Sequence, residues 1–173
     1  MKKMMSLILI LSIVSGCAST GKTNHTYLLP NGYEGSFTVL FNIPGAPRLQ
    51  TEGDSSIIPF ETTKIEALQQ TDYGTYAYAV TSRVKPYDPE ADYYEDTNQF
   101  YYVNESGERK PIDPYCTHAD SYGSWTGSSG KKYSFITLQV TSSQCSEYFH
   151  VNGNENYKIQ SKEAENYFMN EFD

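Results

Sequence analysis

The sequence predicts a mostly β fold, an antiparallel β-sandwich or open barrel with one C-terminal α-helix. Three observations predict it. Short segments in which apolar and polar residues alternate recur along the chain. Clusters of Gly, Pro, Asn and Ser separate them, and these are turn formers. Apolar residues at helical spacing occur only near the C-terminus. At 173 residues the chain suits one domain better than two.

Ser36 to Ile43 is the clearest strand. Phe37, Val39, Phe41 and Ile43 share one face, and Ser36, Thr38 and Asn42 the other, with Leu40 the exception. Asn31-Gly32 ahead of it is a turn signal, and Pro44-Gly45-Ala46-Pro47 ends it, since Pro cannot donate to a ladder. Ser56 to Glu61 reads as a short strand in which Pro59 points to a sheet edge, and Thr63 to Leu68 as extended chain. Tyr73 to Ser82 alternates Tyr76, Tyr78 and Val80 with small residues, as a half-buried strand does. Residues 86–97 are acidic, carry two prolines and read as a loop. Gln99 to Val103 and Glu108 to Ile112 flank the turn Asn104 to Gly107 as a hairpin. Residues 113–130, rich in Asp, Ser and Gly, read as a loop pinned by Cys116. Lys131 to Ser142 is a long strand whose two faces both mix apolar and polar residues. Glu147 to Val151 reads as a last strand. Ser161 is the expected N-cap of the helix, with Glu163 in its first turn and Ala164, Tyr167, Phe168 and Phe172 as its apolar stripe.

Composition excludes some functions. Lys and Arg total 13 against 21 Asp and Glu, a net charge of −8. Two of the lysines, Lys2 and Lys3, sit in a segment that reads as a leader. Without them 11 basic residues face 21 acidic ones, and the charge is −10. Phosphate binding needs clustered Lys and Arg, so no nucleic-acid partner is expected. Docking on anionic lipid through a basic face is excluded for the same reason. Hydrophobic residues make up 38% of the chain, which separates it from disordered tails.

Residues 1–16 read as a signal peptide: Lys2 and Lys3, then an apolar run from Met4 to Val14. The run is too short to span about 30 Å of hydrocarbon, which takes about 20 residues. Val14-Ser15-Gly16-Cys17 resembles the lipobox of bacterial lipoproteins. That resemblance implies acylation of Cys17 and cleavage before it, and acyl chains would then anchor the protein to a membrane. Ala18, where inner-membrane lipoproteins carry Asp, implies outer-membrane sorting in a Gram-negative cell. Residues 17–25 are then the lipidated Cys and a flexible tether, and residues 26–173 a single β-rich domain. Gly16 to Thr23 also matches a phosphate-binding loop pattern. That motif works between a core strand and a helix, whereas here a signal peptide precedes it.

Cys116 and Cys145 remain. Two thiols in an exported chain pair as a disulfide, whose loop closure stabilises by roughly 3–4 kcal/mol. The rival is a metal site, since Cys116, His118 and Asp120 alternate and His150 follows Cys145; zinc sites usually show two close ligand pairs, which are missing here. Ser-x-x-Lys occurs three times in unrelated contexts without its companion motifs, so it is weak support for a hydrolase. A Ser-His-Asp arrangement using His118 or His150 stays open. Asp88, Glu90 and Asp92 alternate as in a calcium loop, but Tyr93 and Gln99 replace the Gly and Glu an EF-hand needs. No cofactor is expected.

Tyrosine is the compositional outlier, with 16 in the chain. Tyr93, Tyr94, Tyr101, Tyr102, Tyr115 and Tyr122 gather around the acidic loop in sequence, with Trp125 nearby. They either fill a half-exposed sheet or form a recognition surface.

Three segments carry a family resemblance: Leu28 to Gly35, Phe41 to Pro47 and Phe100 to Arg109. They resemble a domain-of-unknown-function family of small bacterial lipoproteins with a Pro-x-Gly-Tyr-x-Gly strand, a Pro-Gly-Ala-Pro turn and a Tyr-Tyr-Val-Asn-x-x-Gly-x-Arg hairpin. The resemblance spans residues 27–112 and implies a β-rich fold in the cell envelope. The expected function is a non-enzymatic binding module. A basic envelope protein is the expected partner on grounds of charge, and a glycan on grounds of aromatic content.

Overall fold

The computed structural model describes residues 24–65, 68, 75–84 and 98–173. The leader, Cys17, most of the tether and the acidic segment with Tyr93 and Tyr94 lie outside the described residues. The strands are β1 (Asn24–Pro30), β2 (Gly35–Phe41), β3 (Gln50–Glu52), β4 (Ser55–Pro59), β5 (Glu61–Thr63), β6 (Tyr76–Thr81), β7 (Gln99–Val103), β8 (Arg109–Pro111), β9 (Thr117–Thr126) and β10 (Lys132–Val140). A 3-10 turn (Pro114–Cys116) precedes β9, and the helices α1 (Glu147–Asn152) and α2 (Glu155–Glu171) close the chain. No helix among the described residues is long and apolar enough to cross a membrane.

Two five-stranded sheets, β3-β4-β1-β7-β8 and β5-β6-β2-β10-β9, pack face to face. The mostly β class with a C-terminal helix stands, and neither sheet closes into a barrel. The pairing is mixed rather than antiparallel: β1 runs parallel to β4 and β7, and β2 parallel to β6. The reason lies in the 31–34 turn. It carries the chain from the centre of one sheet to the centre of the other, so β1 and β2 never pair. Later strands then add on either side of each.

Between the sheets lies an apolar core. Tyr27, Leu29 and Ile58 meet Phe37, Val39, Phe41, Ile136, Leu138 and Val140. Tyr27 stacks on Phe100 at 4.7 Å between ring centroids, and Phe37 meets Phe60 edge-on at 5.1 Å. A second cluster covers the opposite face of the β2 sheet, where Leu40, Tyr76, Tyr133 and Phe135 receive Ala164 and Phe168 of α2. The molecule is therefore three layers deep, and every residue of β2 is buried. This explains the two mixed faces of β10: one looks into the sandwich and the other under α2.

Polar residues on that second face are satisfied by each other. Tyr76 Oη lies 2.7 Å from Thr38 Oγ1, Thr38 Oγ1 3.1 Å from Thr137 Oγ1, and Thr137 Oγ1 donates to Glu165 Oε1 at 3.3 Å. Because Thr137 gives its hydrogen to a carboxylate, the relay runs from Tyr76 through Thr38. Burial pushes the Tyr76 phenol far up, so it stays protonated and donating.

Several expectations are corrected. Asn24 and His25 belong to β1, paired with Ser55 and Ser56, rather than to the tether. Pro59 ends a strand that has neighbours on both sides, so β4 is not an edge. Residues 117–126 form β9, because β10 supplies its ladder partner and α1 packs against it. Residues 147–152 are helical, since Ser146 Oγ accepts from Phe149 N at 3.1 Å and Gly153 ends the turn at φ +68°. The long helix starts at Glu155, capped by Asn154, whose side chain accepts from Asn156 N at 2.9 Å. Ser161 lies inside it, buried, and donates to Asp120 Oδ2 at 3.2 Å.

Candidate functional site

The strands give the molecule two poles. At one, β1 begins and the β9–β10 turn and the C-terminus of α2 meet; Asp173 Oδ1 accepts from Ser128 N at 2.5 Å. At the other lie the 31–34 turn, the end of β10, α1 and the start of α2. This capped pole holds the hydrogen-bonded cluster around Glu34 and the disulfide.

The Pro-x-Gly-Tyr-x-Gly segment builds its floor. Tyr33 Oη donates to Ser36 O and accepts from Ala77 N at 3.0 Å, so one phenol clamps β2 to β6. Tyr102 Oη donates to Tyr33 O at 3.0 Å and ties in the other sheet. Gly35 has φ +130°, and a Cβ there would stand 2.7 Å from Gln160 Oε1, which accepts from Ser36 N at 2.7 Å. Glu34 reaches across to β10's exit. Its carboxylate accepts from Ser142 N at 2.9 Å, from the Ser142 hydroxyl, from Ser143 Oγ at 3.0 Å and from Tyr157 Oη at 3.4 Å. Burial alone would raise its pKa, but these donors together outweigh it and hold the carboxyl below its ordinary value.

Cys116 and Cys145 form a disulfide, with Cα atoms 4.2 Å apart. It joins the 3-10 turn to the segment leading into α1. Beside it, both histidines bond to backbone carbonyls. His118 Nδ1 lies 2.8 Å from His150 O, and His150 Nδ1 2.9 Å from Pro114 O and Thr117 O. A carbonyl only accepts, so each Nδ1 carries the proton and donates. Gly153 lets α1 turn over His118, since a Cβ there would stand 2.4 Å from His118 Cδ2. The Cys116, His118, Asp120, His150 set is thus a disulfide with two bracing imidazoles. Among the described residues no group of three or more His, Cys, Asp or Glu could hold a metal ion.

Tyr101, Tyr102 and Trp125 do not form one surface. Tyr102 packs on the core between the sheets, and burial pushes its pKa up to about 12. Tyr101, its neighbour on the strand, points to the other face and donates to Gln99 Oε1 at 3.1 Å. Trp125 lies on the other sheet, stacked on Tyr133 at 5.0 Å in the cluster under α2. Adjacency in sequence fails here because alternate strand residues face opposite ways and β7 and β9 belong to different sheets.

At the capped pole Tyr115 is 53% exposed, and beside it Tyr148 at 74% and Val151 at 63% are exposed side chains that the sequence pattern does not single out. The i, i+3 spacing of Tyr148 and Val151 puts both on one face only because 147–152 is helical, not the strand expected there. The Ser146 cap was the available signal.

A model described as a family of unknown function (DUF6843) matches residues 21–149. None of the curated proteins matches the chain. Among solved structures, a candidate lipoprotein from Bacillus anthracis is similar to this chain, with a TM-score of 0.65 and 27% identity, covering 87% of this chain and 96% of that one.

Proposed function

The chain belongs to the family of unknown function DUF6843, and we propose that it is an envelope lipoprotein, held by acyl chains on Cys17, whose folded part is a non-enzymatic binding module. The likeness to the Bacillus anthracis protein supports the anchor, as does the Val14 to Cys17 segment. Ala18 would send the acylated chain to the outer membrane in a Gram-negative cell. The partner is a basic envelope protein. The observation that carries this is the charge of −10 beyond the leader, which steers a cationic partner and makes association salt-sensitive. Engagement of both histidines in bracing the capped pole supports binding over hydrolysis.

In-cell crosslinking of the lipidated protein, followed by mass spectrometry at low and high salt, tests the reading. A single basic protein lost at high salt is the expected result; recovery of no protein, or of one indifferent to salt, sinks it. Cys17→Ser should move the protein from the membrane fraction to the soluble one. Retention in the membrane fraction would count against the anchor.

A further inference from the structure

A polar groove of about 410 Å³ opens at the capped pole, where β10 runs into α1 and α1 turns into α2. That volume lies in the range of small-ligand sites. Tyr148 stands on its wall, 74% exposed. Gln144, Asn152 and Asn154 contribute side-chain amides. Asn154 Nδ2 donates to Gln144 Oε1 at 3.0 Å, and Asn152 Nδ2 donates to Tyr148 O at 3.0 Å. These bonds orient the amides. They leave Gln144 Nε2, a donor, and Asn152 Oδ1, an acceptor, without a partner among the described residues. Glu155 and Lys158 pair at 3.2 Å, so the two charges in the lining cancel. The disulfide and the His150 bonds fix α1 from behind, which makes the groove preformed.

We propose that this groove binds an N-acetylhexosamine unit of an envelope glycan. A hexose ring offers an apolar C–H face to the Tyr148 ring. Its acetamido group offers one carbonyl and one N–H, the complements of Gln144 Nε2 and Asn152 Oδ1. A neutral ligand suits a lining whose charges are already paired, and this sets the groove apart from the acidic surface that attracts a cation. The groove lies at the pole opposite the start of β1, so the anchored protein presents it away from the membrane. That orientation rests on the lipid-anchor reading, whereas the chemistry of the groove does not.

Chitotriose and cellotriose, titrated into the disulfide-bonded soluble domain without its lipid, provide the test, read by NMR of the Gln144 and Asn152 side-chain amides. Saturable shifts with chitotriose are expected, with affinity for cellotriose lower by about fivefold or more, as loss of a hydrogen-bonded group demands. Tyr148→Ala should weaken chitotriose about tenfold and Asn152→Ala about threefold. Both side chains are exposed, so both variants should keep the wild-type melting temperature. Absence of saturable shifts overturns the proposal, as does unchanged affinity in Tyr148→Ala. Equal affinity for the two sugars overturns the acetamido assignment. Tyr148→Ala should also leave the salt-sensitive protein crosslink intact; its loss would assign the groove to the basic partner and overturn the glycan reading, while failure of the crosslink alone leaves the groove standing.

Discussion

Glu34 sits beside the first turn of α2 and Glu165 lies within the helix, and their surroundings push them in opposite directions. Glu34 collects donors from Ser142, Ser143 and Tyr157 that outweigh burial, so its pKa is lowered. Its contribution to stability is present above the ordinary carboxylate range and is lost as pH falls through its folded pKa. Glu34→Gln should cost about 1 kcal/mol at neutral pH, held to that size by solvent access. It should also flatten the acid limb of a urea-midpoint against pH curve; an unchanged limb would refute the role. Glu165 is raised, first by burial and then by the nearby Asp120 charge, against the hydrogen bonds of Thr137 and Ser121. Its stabilising contribution is complete below the unfolded pKa and lost as pH rises through the folded one. Glu165→Gln should therefore raise the melting temperature at pH 7 relative to wild type and narrow the gap at pH 4. A lower melting temperature at pH 7 would show that the Thr137 and Ser121 bonds dominate. Neither glutamate was legible in the sequence. The Ser142 amide that holds Glu34 is 108 residues away, and nothing in a local pattern announces such a contact.

Among the elements, α2 shows how a helix with a weak sequence signature still finds its seat. Its buried face mixes Tyr157, Ala164 and Phe168 with Gln160 and Ser161, so apolar spacing alone showed only its second half. The first half is held by hydrogen bonds to Ser36 and Asp120. Phe168 touches the rings of Tyr76, Tyr78, Tyr167 and Phe172, and Phe168→Ala should cost about 3–5 kcal/mol. A fall in the urea midpoint at unchanged slope would show this, and a midpoint equal to wild type would mean that α2 is not part of the cooperative core. The strand β2, whose faces alternate except at Leu40, and the aromatic β7 are legible in the sequence to within a residue or two. β9 was missed because most of its side chains are polar or small and its ladder partner lies in β10.

At the scale of the whole molecule, the disulfide closes the capped pole. Cys116→Ser should lower stability by roughly 3 kcal/mol under oxidising conditions, and reductant should bring the wild type down to the same level. Equal melting temperatures for variant and wild type without reductant would contradict the bridge. Because the loop it closes contains β9 and β10, its loss should act on the β2 sheet and α1 together.

The sequence by itself determined the β class, the cysteine pairing and the net negative charge. These are carried by composition and by residues close together in the chain. Tertiary structure alone decided that the sheets are mixed, that both faces of β2 are buried, that Tyr101, Tyr102 and Trp125 part company, and that a polar groove opens between α1 and α2. Those outcomes depend on which strand pairs with which and on what covers each face. Alternation along a strand specifies two faces, but only packing against a distant element decides which of them meets water.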